Sequence, residues 1–263
     1  MDGLEATNLK QNKNHLLKKY YNSVYLKGEK KVYTDTGNSE VKETVKQFNW
    51  KNKKVLDVGC GTGLFCYTVA KKGAIVTGID YSEESINIAK NYKHKNLFFK
   101  NADIYNGLDS KYDIIVSLGT LEHMDNPLKI LRIFKKHLKK NGKIVITSPN
   151  WTNPRGYFLM VLLTLFDAPI TLADLHYLTP VDFLNWAKKL NMKLKWETID
   201  KSWAHGEILI KDFERRIPNV LRDAGLPNDK EKIKKFITWI KKNVLVFDNS
   251  LPHSGANGLY IFS

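Results

Sequence analysis

At 263 residues and 43% hydrophobic content, the chain is long enough for one full α/β domain with additions around a sizeable core. No apolar run reaches the length of a bilayer span, and Met1-Asp2-Gly3-Leu4-Glu5 carries no basic-then-apolar leader. The two cysteines, Cys60 and Cys66, read as small buried residues rather than a disulfide framework or metal pair, so a reducing, cytoplasmic compartment is expected, at most peripheral to a membrane. The formal charge of +15 is spread over many lysines. It fits solvated faces in a lysine-rich chain. It equally fits an anionic partner: a phosphorylated substrate, a nucleic acid or an acidic membrane surface.

Residues 1–47 precede the first core strand and carry a partly helical stripe of Leu16, Leu17, Tyr20, Tyr21 and Tyr25. Val55-Leu56-Asp57-Val58 is then an apolar strand that runs into Gly59-Cys60-Gly61-Thr62-Gly63 and an apolar helix pattern from Leu64. Three glycines at alternate positions predict a turn with positive φ and no Cβ, close to something. The free N–H groups of the following helix point back at the same place. A second strand, 72–80, ends in Asp80, about twenty residues after the glycines, where an acid can accept both hydroxyls of a ribose. Ser82 and Ser85 with Glu83 and Glu84 read as a helix start. Strands follow at 96–100, leading to Asn101-Ala102-Asp103-Ile104, and at 111–118, an apolar run suited to burial on both faces. Asn126-Pro127 starts a helix that is expected to run to Asn141-Gly142, followed by a strand over 142–147.

Residues 157–166 are the most apolar segment in the chain and too short to span a membrane. Three readings of it stand: a buried helix or dimer contact, the wall of an apolar substrate pocket, or shallow insertion into an anionic bilayer. Thr179-Pro180 with Asp182 starts another helix, and 192–199 alternates as a half-exposed strand should. Two helical patterns, about 206–223 and 229–243, have Pro218, Gly225 and Pro227 as breaks. Trp203, His205, His253 and Ser254 are polar or aromatic candidates at the rims of this insertion. A last strand lies at 258–262.

Asp57-x-Gly59-x-Gly61-x-Gly63, followed by helix, strand and Asp80, resembles motif I of the class I S-adenosylmethionine-dependent methyltransferases. It departs from the dinucleotide fingerprint, because Leu64 stands where that pattern needs its last glycine. The resemblance implies a doubly wound α/β fold with a mostly parallel seven-stranded sheet, six strands parallel and the last antiparallel. It places an N-terminal helical cap over 1–47 and the methyltransferase domain over 48–263, with a lid at about 150–179 and a helical insertion at about 201–256. It implies S-adenosylmethionine as cofactor and S-adenosylhomocysteine as product. Asp57 would position the methionine end, or cap the turn by accepting N–H bonds. Gly59, Cys60 and Gly61 would give backbone contacts, and Asp80 the ribose contact. Tyr81 would pack on adenine, Asp103 would take the adenine amino group with Ala102 and Ile104 beside the ring, and Leu118 would offer a backbone group. Asp103 alone also reads as a turn residue. Tyr20, Tyr21 and Tyr25 would cover the cofactor, or simply pack on the core edge.

Gly119-Thr120-Leu121-Glu122-His123 resembles the segment of methyltransferase groups acting largely on small molecules and lipids, the ubiquinone-pathway enzymes among them. His123 would face the reacting methyl or close the loop. The stretch from His176 through Thr179 to Phe183 resembles the same groups, so His176 is a candidate general base, an orienting group or a structural one. The reaction implied is direct displacement at a sulfonium methyl, needing no metal and no covalent enzyme intermediate. The Pro-Pro-aromatic motif of base-amine methyltransferases is absent after the 111–118 strand, and no cysteine nucleophile is placed for cytosine chemistry. The expected acceptor is a small, lipid-like or glycan-like molecule methylated on oxygen. The alternatives are RNA or protein acceptors using the basic surface. A homodimer remains open.

Overall fold

A computed structural model describes residues 38–108, 110–168, 170–171, 174–200, 206–245 and 253–263. Tyr20, Tyr21, Tyr25, Trp203 and His205 lie outside the described residues. Helix α1 (Ser39–Lys46) leads into β1 (Lys54–Val58), α2 (Leu64–Lys71), β2 (Ile75–Asp80), α3 (Glu83–Ala89) and β3 (Leu97–Asn101). Then come β4 (Tyr112–Leu118), α4 (Pro127–Lys136), β5 (Leu138–Pro149), α5 (Pro154–Phe166), α6 (Pro180–Lys189), β6 (Leu194–Ile199), α7 (Gly206–Asp223), α8 (Lys230–Asn243) and β7 (Asn257–Phe262). The seven strands lie in the order β3-β2-β1-β4-β5-β7-β6. β7 runs antiparallel to both β5 and β6, and the other pairs are parallel. The doubly wound sheet with one reversed strand is therefore as the sequence implied.

Side chains of a strand alternate between faces, and the central strands feed two cores. Leu56, Ile115, Ile144, Ile146, Tyr260 and Phe262 pack on one face with Ile130, Leu131 and Phe134 of α4 and Phe183 of α6. Val55, Val116, Val145, Leu259 and Ile261 pack on the other with Phe65, Val69 and Ala70 of α2. Burial on both faces explains why β1, β4 and β5 read as continuous apolar runs. Helix starts are where side-chain caps were expected. Ser82 Oγ accepts from Ser85 N, and Asn126 Oδ1 from Lys129 N. Thr179 and Asp182 form a capping box.

Two local expectations are corrected. The helix after Asn126 ends at Lys136, not at Asn141-Gly142, because Leu138 already pairs with Tyr112 in the sheet. Asn141 takes a left-handed φ of 62° inside that irregular start of β5. Pro218 does not break its helix. It lies within α7, whose face of Leu209, Ile210, Phe213, Ile217 and Val220 is buried. That packing outweighs the one backbone hydrogen bond a proline removes. α7 and α8 form a separate hydrophobic cluster against α5, with Phe158 stacked on Phe236 at 5.0 Å and edge-on to Phe213 at 5.3 Å.

Candidate active site

A cavity of about 330 Å³ opens at the carboxyl ends of β1, β2 and β4, where open α/β sheets place ligands. Its floor is the glycine turn. Gly59, Gly61 and Gly63 have φ of 72°, 51° and 84°, values that non-glycine side chains rarely tolerate. The turn is stitched to β2: Gly59 and Cys60 N–H donate to Ile79 O at 2.9 and 3.0 Å. The sequence assigned all three glycines to ligand approach, but two also answer to packing. A Cβ on Gly59 would lie 2.4 Å from Thr120 Cγ2, and one on Gly63 would lie 2.6 Å from the Phe99 ring.

Asp80 closes one end of the cavity. Its Oδ2 accepts from Gly61 N at 2.9 Å and its Oδ1 from Ser82 N at 2.8 Å. The carboxylate is thereby fixed in plane, and its remaining lone pairs are available to hydroxyls. Burial raises its pKa while these backbone donors pull it down. Asp57 sits beneath the turn, 2% exposed. Its Oδ2 accepts from the Cys66 thiol at 3.1 Å, and its Oδ1 has no hydrogen-bond partner. Burial pushes the Asp57 carboxyl up to about 7. Cys60, Tyr81, Leu118 and His123 complete the set of predicted residues that line the cavity.

Three predicted contacts lie outside that lining. Asp103 Oδ1 accepts from Tyr105 N at 2.9 Å and caps the short turn Ile104–Asn106. Ile104 is buried in the core, and Ala102 packs against it. His176 also lies outside: its Nε2 is 2.9 Å from Met124 O. With Leu175 N and His176 N donating to Glu122 O at 3.0 and 3.1 Å, it ties the 174–176 segment to the 121–123 turn.

Sequence reading missed three acids here. Glu40 of α1 lines the cavity with Asn38 and Val41. No motif marks it; only the packing of α1 over Gly119 brings it in. Asp174, between α5 and α6, places Oδ1 3.4 Å from His123 Nδ1. Burial raises the Asp174 carboxyl, and His123 acts against that rise. Glu122 is 2% exposed, and its Oε2 is without a hydrogen-bond partner. Burial lifts its pKa well above the usual carboxylate range, and Asp174 adds to the rise. Ligand atoms of Glu122, His123 and Asp174 lie within 4.8 Å of one another, a donor set that a divalent cation could also use. Behind Asp174, Arg216 pairs with buried Asp212 at 3.2 Å and donates to Ile170 O. Neighbouring Arg155 is pushed down to about 10 by burial.

The cavity fits S-adenosylmethionine on three grounds. A glycine-rich turn leads to an anchored acid, Asp80, with lone pairs free for hydroxyls. The lining carries Glu40, Asp57 and Asp80 and, among the described residues, no lysine or arginine, in a chain with 42 of them. That sign suits a ligand carrying a sulfonium and an ammonium and opposes a polyphosphate. The Asp57 oxygen without a partner lies under the same turn and would be satisfied by a donor there.

Comparison with known proteins agrees. Residues 49–214 match a methyltransferase-domain family. The ubiquinone biosynthesis O-methyltransferase of Coxiella burnetii (strain RSA 331 / Henzerling II) is 29% identical over 177 residues, 64% of this chain and 74% of that protein. Among solved structures, a chain from the complex of the Haloferax volcanii Trm112 methyltransferase activator with a methyltransferase superposes with a TM-score of 0.60. It is 12% identical and the match covers 92% of this chain and 96% of that one. The magnesium protoporphyrin IX methyltransferase of Synechocystis PCC 6803, with bound S-adenosylmethionine, gives 0.53 at 17% identity over 70% and 88% of the two chains. These structures share the fold. Glycine turn, anchored Asp80 and family match together make this chain a member of the class I methyltransferase-domain family, with S-adenosylmethionine as its cofactor.

Proposed function

We propose that the protein methylates a hydroxyl oxygen of a small, lipid-like acceptor. The observation that carries this reading is the His123–Asp174 pair at the cavity wall. The bound cofactor supplies an electrophilic methyl on a sulfonium. The chain's task is to orient the acceptor, exclude water and remove its proton. Asp174 Oδ1, 3.4 Å from His123 Nδ1, favours the tautomer that carries its proton there and leaves Nε2 to accept one. Asp174 is fixed in turn: its N–H donates to Thr171 Oγ1 at 3.2 Å. His176 then acts through the lid as a positioning residue, by its bond to Met124 O.

A lipid-like acceptor is supported by the ubiquinone-pathway relative and by α5. This helix is apolar all round, yet Tyr157, Val161, Leu165 and Phe166 on its outer side are exposed by 62, 49, 69 and 50%. Such a patch on a net-basic protein suits an anionic bilayer surface that delivers the acceptor. No described helix is long and apolar enough to cross a membrane.

The test is His123→Asn, measured on the methylated acceptor fraction. Removing a general base should lower kcat roughly 10²–10⁴-fold, with S-adenosylhomocysteine affinity held within about threefold. The lost rate should recover at high pH, where the acceptor hydroxyl ionises unaided. An unchanged kcat would show that the acceptor arrives already ionised or that another group takes its proton.

A further inference from the structure

Glu40 stands ahead of the matched family segment, residues 49–214, and so far counts only towards the negative sign of the cavity lining. α1 delivers it to the cavity wall from outside the sheet. Its Oε2 and Oε1 lie 3.5 and 3.8 Å from where a Cβ on Gly119 would sit, so it covers the backbone at the end of β4. Thr147 Oγ1 accepts Gly119 N–H at 3.0 Å, and the Thr147 hydroxyl favours the ionised form of the Glu40 carboxyl.

Burial raises the Glu40 pKa and Asp200 adds to the rise, while a Glu122 oxygen lies 4.0 Å from where a Cβ on Gly119 would sit. A carboxylate held in this company at a cavity wall is disposed to receive a cation. The cofactor carries two cations, a sulfonium and an α-ammonium, and only the ammonium has N–H groups to donate to a carboxylate. Glu40 lines the same cavity as Gly59, Asp80, Leu118 and Gly119.

We propose that Glu40 receives the α-ammonium of the cofactor's amino-acid end, and so selects the full cofactor over nucleosides that lack this end. The inference rests on the cofactor assignment and adds a binding residue to it.

The experiment is calorimetric titration of wild type, Glu40→Gln and Glu40→Asp with S-adenosylhomocysteine and with 5′-methylthioadenosine, which has the nucleoside and sulfur but no ammonium. Glu40→Gln should weaken S-adenosylhomocysteine by roughly tenfold or more, the usual cost of losing a hydrogen bond to a charged group. It should change methylthioadenosine affinity by less than about twofold, and Glu40→Asp should fall between. Methylthioadenosine also reports that the variant's pocket is intact. Unchanged S-adenosylhomocysteine affinity, or an equal loss for both ligands, overturns the role of Glu40. Wild type binding neither ligand overturns the cofactor assignment itself, a different result from the first two.

Discussion

Asp57→Asn should make the ligand-free protein more stable at pH 8 and a poorer cofactor binder. Asp57 is 2% exposed, one oxygen is held only by a thiol, and the other has no hydrogen-bond partner. Burial raises its pKa from 3.8 to about 7. A carboxyl whose folded pKa exceeds its unfolded one binds more protons in the native state between those two values. Stability then falls as pH climbs through that window, and the loss is complete above the folded pKa. At about 1.4 kcal/mol per pH unit the ceiling is about 4 kcal/mol. Asparagine removes the charge and keeps an oxygen for the Cys66 thiol, while its amide nitrogen lacks an acceptor and offsets part of the gain. Thermal unfolding of both proteins at pH 8 and pH 5 reads the effect. The Tm advantage of the variant should be several degrees at pH 8, at roughly 2–4 °C per kcal/mol, and should shrink by more than half at pH 5. A variant less stable than wild type at pH 8, or a gap that does not change with pH, would refute the reasoning.

Two further outcomes follow from the same geometry. Asp80→Ala removes the acid proposed to accept the ribose hydroxyls, together with its bonds to Gly61 and Ser82. S-adenosylhomocysteine affinity should drop roughly 10- to 100-fold by calorimetry, and unchanged affinity would move the ribose elsewhere. Leu165→Glu places a charge on the exposed side of α5, where Leu165 is 69% exposed. Folding stability should stay within about 0.5 kcal/mol. Co-sedimentation with anionic vesicles should fall roughly tenfold, as expected from losing one inserted leucine; wild type that ignores such vesicles would remove the membrane reading.

The parts of this molecule legible in the sequence are those written by local chemistry. Strand, glycine turn and helix needed only φ > 0 at Gly59, Gly61 and Gly63 and an apolar run before them. Asp80 followed from spacing, and the caps Ser82, Asn126 and Thr179 from their side chains. Both helices of the 206–243 region came from periodicity alone. What stayed hidden is non-local. Glu40 reaches the cavity because α1 packs across Gly119, 79 positions on, and nothing near Glu40 in the sequence records that. Asp174 meets His123 because Leu175 and His176 bond back to Glu122 O. Pro218 was read as a break because local propensity disfavours it, whereas burial of the α7 face decides the matter. Gly63 was credited to a ligand although Phe99, from β3, already requires it.

The central claim, methyl transfer to a small lipid-like acceptor, is tested most directly by incubating the protein with methyl-labelled S-adenosylmethionine and an extract of the source cells. The label is then separated into organic-soluble, polar small-molecule, nucleic-acid and protein fractions. Label should enter the organic-soluble fraction with wild type and fall strongly with His123→Asn. Label in RNA or protein, insensitive to His123, would contradict the claim and turn attention to the lysine-rich surface.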